Sequence, residues 1–205
     1  MVKDGIPYVL VPVLLFIIFI VFKFWFVALP FLFVALFMAY FFRDPKREVP
    51  YTPDIVVSPA DGKVTKVERL GEDISSPTLI SIFLSPLDVH INRSPITGKI
   101  KKVEYTQGKF VMATREDASL INEQNMLEIE GEKITVVCKQ IAGILARRIV
   151  CWKKSGDSVL IGERFGLIKF SSRTDIILPS NVDILIKEGM RVKGGATVIG
   201  RIGNV

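Results

Sequence analysis

The sequence predicts a mainly β domain, folded as a compact barrel-like sandwich, behind an N-terminal membrane-embedded helical hairpin. Three observations predict it. Residues 5–42 carry a single charge, Lys23, in a run of mostly Phe, Ile, Val, Leu and Ala that is far too long for a soluble helix. Residues 55–205 are short Val- and Ile-rich runs broken by Gly, Pro, Asp and Asn, with little helical periodicity. Within that stretch two motifs each occur twice, which marks a domain assembled from repeated turn-and-strand units.

Taken in chain order, Ile6 to Phe22 and Phe24 to Phe42 are each about one bilayer-spanning length, which predicts a tight hairpin turning between Lys23 and Pro30. A shallow hairpin that never fully crosses also fits. No small-residue cleavage site follows, since Phe41-Phe42 leads straight into Arg43-Asp44-Pro45-Lys46-Arg47. Residues 1–43 therefore read as a retained anchor and residues 44–205 as the β domain. Arg43, Lys46 and Arg47 beside the anchor predict a cell-membrane protein with its domain on the cytoplasmic side.

In the β domain, Ser58-Pro-Ala-Asp-Gly-Lys-Val-Thr-Lys-Val-Glu68 matches Ser94-Pro-Ile-Thr-Gly-Lys-Ile-Lys-Lys-Val-Glu104. Each copy is a Pro-containing turn, a Gly able to take a positive φ, then a strand. The second pair is Lys154-Ser-Gly-Asp-Ser-Val159 with Gly162-Glu-Arg, against Lys187-Glu-Gly-Met-Arg-Val192 with Gly195-Ala-Thr. Turn-rich repeats of this kind resemble the barrel-sandwich hybrid of biotinyl and lipoyl carrier domains. The one helical candidate is Glu116 to Asn125, where a loop fits equally well. The copies differ at Asp61, whose counterpart is Thr97.

The formal net charge of +6 is spread among apolar residues and no RNA-binding signature is present, which points to anionic lipid headgroups, or a merely solvated surface, rather than nucleic acid. Cys138 and Cys151 sit in apolar segments without metal-ligand spacing, and with one His in the chain no metal site is expected.

That histidine, His90, is the first candidate for proton transfer, although a hydrogen-bonded strand-end His fits the same pattern. Asp61 suits either chemistry or the capping of its Asp-Gly turn. Ser171-Ser172 follows an apolar strand-like run, where a serine is a candidate nucleophile or simply a polar turn residue.

Four ordered segments carry a resemblance: Ser58-Pro-Ala-Asp-Gly62, Ser85-Pro-Leu-Asp-Val-His-Ile-Asn-Arg-Ser-Pro95, Gln140-Ile-Ala-Gly-Ile-Leu-Ala-Arg-Arg-Ile-Val150, and Gly162-Glu-Arg-Phe-Gly-Leu-Ile-Lys-Phe-Ser-Ser-Arg173. From about Asp44 to the C-terminus they resemble the phosphatidylserine decarboxylase proenzyme family in its short form, which includes archaetidylserine decarboxylases. The resemblance implies autocatalytic cleavage between Ser171 and Ser172, giving chains 1–171 and 172–205 that stay together as a heterodimer. It implies conversion of Ser172 into a pyruvoyl group, the electron sink for decarboxylation of an anionic serine phospholipid, with no pyridoxal phosphate. By the same analogy His90 moves protons, Asp61 assists self-cleavage, Arg147 or Arg148 meets the lipid phosphate or carboxylate, and Asn122-Glu123 matches a further family motif. Dimerisation through sheet edges is compatible with the sequence, although no residue identifies a surface.

Two positions depart from the family pattern. Ser171 stands where a Gly is usual, and Arg93 stands where longer members carry a second histidine, so either His90 does both jobs or Arg93 stabilises an oxyanion beside Asp61. Two rival readings use the same residues. A non-catalytic carrier-type domain fits the repeats but lacks a lysine at a hairpin tip, and a membrane serine hydrolase would use Ser172 and His90 without cutting the backbone.

Overall fold

The computed structural model describes residues 1–50, 52–115, 117–144, 148–170 and 172–203. The chain divides into two compact units, Met1–Lys46 and Arg47–Val205.

In the first unit, α1 (Ile6–Val21) and α2 (Trp25–Phe41) form an antiparallel hairpin whose faces meet through Phe19 stacked on Phe31 and Tyr8 against Phe42. The chain reverses at Lys23, which takes φ +64°. Pro30 lies inside α2 rather than in the turn, because the reversal is complete at Phe24 and α2 starts at Trp25. Lys3–Val21, 19 residues long, holds an 18-residue stretch of mean hydropathy 2.4, long and apolar enough to cross a bilayer. Phe26, Phe33 and Leu36 of α2 are exposed, an arrangement suited to lipid.

The second unit is β throughout apart from α3 (Ala118–Ile121), so the helical candidate at 116–125 shrinks to one turn before its last residues enter a strand. The strands are β1 (Ile55–Val57), β2 (Gly62–Arg69), β3 (Thr78–Leu84), β4 (Ile91–Arg93), β5 (Gly98–Thr106), β6 (Gln124–Glu130), β7 (Thr135–Ile141), β8 (Arg148–Cys151), β9 (Ser158–Val159), β10 (Arg164–Lys169), β11 (Ser172–Leu178), β12 (Val182–Ile184), β13 (Arg191–Val192) and β14 (Val198–Ile202). An eight-stranded antiparallel sheet runs β13-β2-β3-β11-β7-β6-β5-β9, and two three-stranded sheets run β1-β14-β12 and β4-β10-β8. All three contribute to one core that includes Val56, Val64, Ile82, Leu127, Phe165, Ile176 and Ile199. The mainly β class expected from the sequence is the one observed.

The two sequence repeats pair crosswise. The first copy of one repeat binds the second copy of the other, so Gly62 faces Val192 while Gly98 faces Val159. The Gly195 amide donates to Ser58 O and the Gly162 amide to Ser94 O, each at 2.8 Å. Between the copies the exchange is reciprocal, from Val57 N to Pro95 O (3.0 Å) and from Arg93 N to Pro59 O (2.9 Å). Strand pairing extends the same correspondence over the domain: β1, β2, β3, β11, β12, β13 and β14 form one half, and β4 to β10 form its pseudo-twofold equivalent.

One half is therefore inserted into the other. In the second half, β6 and β7 are joined by a tight turn in which Gly131 N donates to Ile134 O at 2.9 Å. The equivalent positions in the first half are Leu84 and Ser172, which pair directly although residues 85–171 lie between them. The inserted half leaves through Ser85–His90 and returns through Phe170 and Ser171.

Candidate active site

Of the sequence-predicted residues, His90 ends one of these junctions and Ser172 follows the other. Lys63, Phe83, Arg173, Ile141, Gln124 and Thr106 share one rung across the large sheet, and Ser172 and the turn carrying Asp61 lie at that end. Ser172 opens β11 opposite Leu84. It is completely buried, and its Oγ has no hydrogen-bond partner among the described residues. A buried unpaired hydroxyl costs roughly 1–3 kcal/mol, so its persistence calls for a functional reason. Two residues earlier Phe170 takes φ +67°, a left-handed conformation that disfavours an L side chain by about 1–2 kcal/mol. Ser171 lies outside the described residues.

His90 is buried just before β4, and its backbone oxygen accepts from Ile168 N (3.1 Å) at the end of β10. Its Nδ1 lies 3.0 Å from Asp88 O. Because a carbonyl only accepts, Nδ1 carries the hydrogen and Nε2 becomes the nitrogen able to take a proton. Asp88 is fixed by the Ser85 amide (2.9 Å) and hydroxyl (2.7 Å) and by Arg191.

Asp61 accepts from Arg47 Nη2 (2.6 Å) and from the Gly194 amide (2.9 Å). Burial pushes its carboxyl above the usual carboxylate range; Arg47 and the Gly194 amide pull it back, and the Asp88 charge adds a smaller upward push. Thr97 accepts from the Ile161 amide at 3.0 Å in the equivalent place. The mechanical contact is thus common to both halves, and the charge with its Arg47 partner belongs to the first half alone.

The arginines diverge. Arg93 is buried, donates to Gly162 O (3.0 Å), and is packed so closely on Gly195, φ +73°, that a Cβ there would lie 2.8 Å from its Cδ. Arg148 is exposed on β8 opposite Lys169, and Arg147 lies outside the described residues. Asn122 is buried and structural: it accepts from Val111 N (2.9 Å) and donates to Val111 O (2.9 Å) and Ala142 O (2.7 Å). Glu123 beside it is nearly buried.

Sequence reading missed a buried amide chain behind the serine. Asn125 donates to Gln140 (3.0 Å), Gln140 to Asn92 (2.9 Å), and Asn92 to Thr174 Oγ1 (2.9 Å), one rung-facing position from Ser172. Gly166 leaves the room, because a Cβ there would sit 2.8 Å from Gln140 Nε2. A signal existed in strand parity. Gln140 shares its face with Val136 and Cys138, and Asn125 shares its face with Leu127 and Ile129, so each is a polar residue on an apolar face. A second missed feature is the buried bidentate pair Arg173–Asp175 (2.6 and 2.8 Å), next to Ser172 on the opposite face of β11.

Fold and site together describe an enzyme of the β class whose serine lies in a covalent junction between interlocked halves. The family model for phosphatidylserine decarboxylase matches residues 34–200. A phosphatidylserine decarboxylase proenzyme of Solibacter usitatus is 50% identical over 174 residues, covering 85% of this chain and 83% of the relative. Those of a Wolbachia from Brugia malayi and of Pelodictyon phaeoclathratiforme are 45% and 44% identical, covering 83% and 81% of this chain and 78% and 79% of theirs. The chain belongs to the phosphatidylserine decarboxylase family and is a decarboxylase.

Proposed function

We propose that the chain cuts itself between Ser171 and Ser172, converts Ser172 into an N-terminal pyruvoyl group, and decarboxylates phosphatidylserine or its archaeal ether counterpart to the ethanolamine phospholipid. The observation that carries this is the sealed, unpartnered Ser172 hydroxyl at the junction of the two halves. A pyruvoyl group suits this position: its formation removes the buried hydroxyl that lacks a partner together with the residue's own nitrogen, and leaves Arg173–Leu178 in register with β3.

In the cut, Ser172 Oγ attacks the carbonyl carbon of residue 171 as its proton passes to His90 Nε2, and the peptide nitrogen leaves with a proton to give an ester. Loss of the Ser172 α-hydrogen then expels the 1–171 carboxylate to leave a dehydroalanine, which takes a proton at its methylene to become an imine that water hydrolyses with release of ammonia. Asp61, held by Arg47 and the Gly194 amide, is the carboxyl that assists this cut. The keto group so formed supplies the electron sink that loss of carbon dioxide from an amino acid requires. In this reading His90 also returns a proton to the substrate carbon, and Arg148, exposed on β8 beside β10, meets the lipid phosphate. The basic residues Arg43, Lys46 and Arg47 favour a cytoplasmic location for the domain.

Intact-mass measurement of the purified full chain in detergent tests the reading. A fragment 172–205 bearing a pyruvoyl N-terminus is expected, and Ser172→Ala should give one uncut chain with no decarboxylation. Decarboxylation by that variant would sink the assignment of Ser172.

A further inference from the structure

Departures from the pseudo-twofold are concentrated at one place. The β5–β6 connection, residues 107–123, is twice the length of its equivalent between β2 and β3, residues 70–77. The β7–β8 connection, residues 142–147, is likewise longer than its equivalent at 179–181. Both extended connections leave from the Ser172 end of the large sheet, and they are tied to each other. Lys109 N donates to Ile121 O (2.7 Å), Ala142 N to Glu123 O (2.9 Å), and Asn122 clasps Val111 and Ala142. Arg115 O in turn receives Arg173 Nη1 (3.4 Å), joining this ridge to the residue that follows Ser172.

The described residues of this ridge expose large apolar side chains. Phe110 is 37%, Met112 55%, Leu120 80% and Ile144 50% exposed, with Leu87 of the Ser85–His90 junction at 62%. Lys109 beside Phe110 and Arg148 at the start of β8 are exposed, and the ridge's Arg115 is paired with Asp117 at 2.8 Å. Apolar side chains on a hydrogen-bonded frame, with cations beside them, match an anionic bilayer, where the side chains enter the headgroup–acyl boundary and the cations meet phosphates. The buried serine also needs such a contact, because a diacyl lipid whose headgroup reaches Ser172 keeps its chains in the membrane.

We propose that this ridge is a membrane-docking surface, separate from the helical hairpin, that seats the Ser172 end of the domain on an anionic phospholipid bilayer. It depends on the decarboxylase reading only for the identity of the lipid that passes across it. The direct test labels Leu120→Cys in the full chain with an environment-sensitive fluorophore, in nanodiscs of phosphatidylcholine and phosphatidylserine carrying lipids brominated on their acyl chains. Burial pushes both native thiols, Cys138 and Cys151, up, which directs the label to the new cysteine. At least twofold quenching is expected at position 120 and none at Ile74→Cys, an equally exposed site at the opposite end of the sheet. Absence of quenching at 120, or disulfide pairing of Leu120→Cys between copies without quenching, overturns the proposal in favour of a free or self-associating ridge. In a second arm, Met112→Ser with Leu120→Ser should lose at least tenfold in turnover of vesicle phosphatidylserine while processing and turnover of monomeric dihexanoyl-phosphatidylserine stay within twofold of the parent. Equal loss on both substrates also overturns it. A parent chain inactive on both, with quenching intact, instead removes the decarboxylase reading and leaves the ridge standing.

Discussion

Asp61 and Thr97 hold the same amide in the two halves, one from Gly194 and the other from Ile161, so the difference between them isolates what a charge adds. Since burial raises the Asp61 carboxyl above its unfolded value, folding favours its protonated form. Stability from this group is fully present below the unfolded carboxylate pKa and is lost as pH rises through the raised folded value. Asp61→Asn, which mimics the neutral form, should therefore melt higher than the parent at pH 7, with the gap closing as the pH is lowered towards 3; a constant gap would show that Arg47 fully offsets burial. The same variant should slow appearance of the 172–205 fragment, read by gel densitometry. His90→Ala should reduce turnover by about 10²–10⁴-fold, the usual span for a lost proton-transfer group, while leaving the protein in the membrane fraction. Loss of both together would mark His90 as a folding residue, the alternative its strand-end position allowed.

At the level of elements, the strands and their repeats were legible because a Pro turn, a Gly and alternating apolar residues recur at fixed spacing; His90 stood out as the one histidine, Asp61 as a point where the copies differ, and Ser172 through the family resemblance. The amide chain behind Ser172 was not, because Asn92, Gln140 and Thr174 come from three strands far apart in sequence and meet only once β4, β7 and β11 are packed. The helical candidate contracted to Ala118–Ile121 for a related reason: Gln124 and Asn125 complete the β6 rung against Ile141 and Gln140, a long-range pairing that local periodicity does not report. Gly166 joins these elements. A methyl group there would meet Val150 O at 2.5 Å and the Gln140 amide at 2.8 Å. Gly166→Ala should destabilise the domain by about 1–3 kcal/mol, the range for overpacking a full site. If Gln140 positions β11, its turnover should fall more than its substrate affinity, and unchanged melting and turnover would show that the amide chain has slack.

On the scale of the whole molecule, a cut at Ser171–Ser172 severs the return junction and leaves the strand pairing of β11 intact. The fragment 172–205 places β11 between β3 and β7, β14 between β1 and β12, and β13 on β2. It contributes Ile176, Leu178, Val182, Ile186, Val192 and Ile199 to the common core. Full burial of each such side chain is worth about 1.5–3 kcal/mol, far more in sum than thermal motion can return at working temperature. The two fragments should therefore co-elute in size-exclusion chromatography in mild detergent. Unfolding of the cut protein now releases two chains where the uncut Ser172→Ala protein releases one. The urea midpoint of the cut protein should consequently rise with protein concentration while that of Ser172→Ala stays fixed. Shedding of 172–205 without denaturant would mean that the interlocked halves depend on the covalent junction, and a self-cut at this position could not then yield a lasting enzyme.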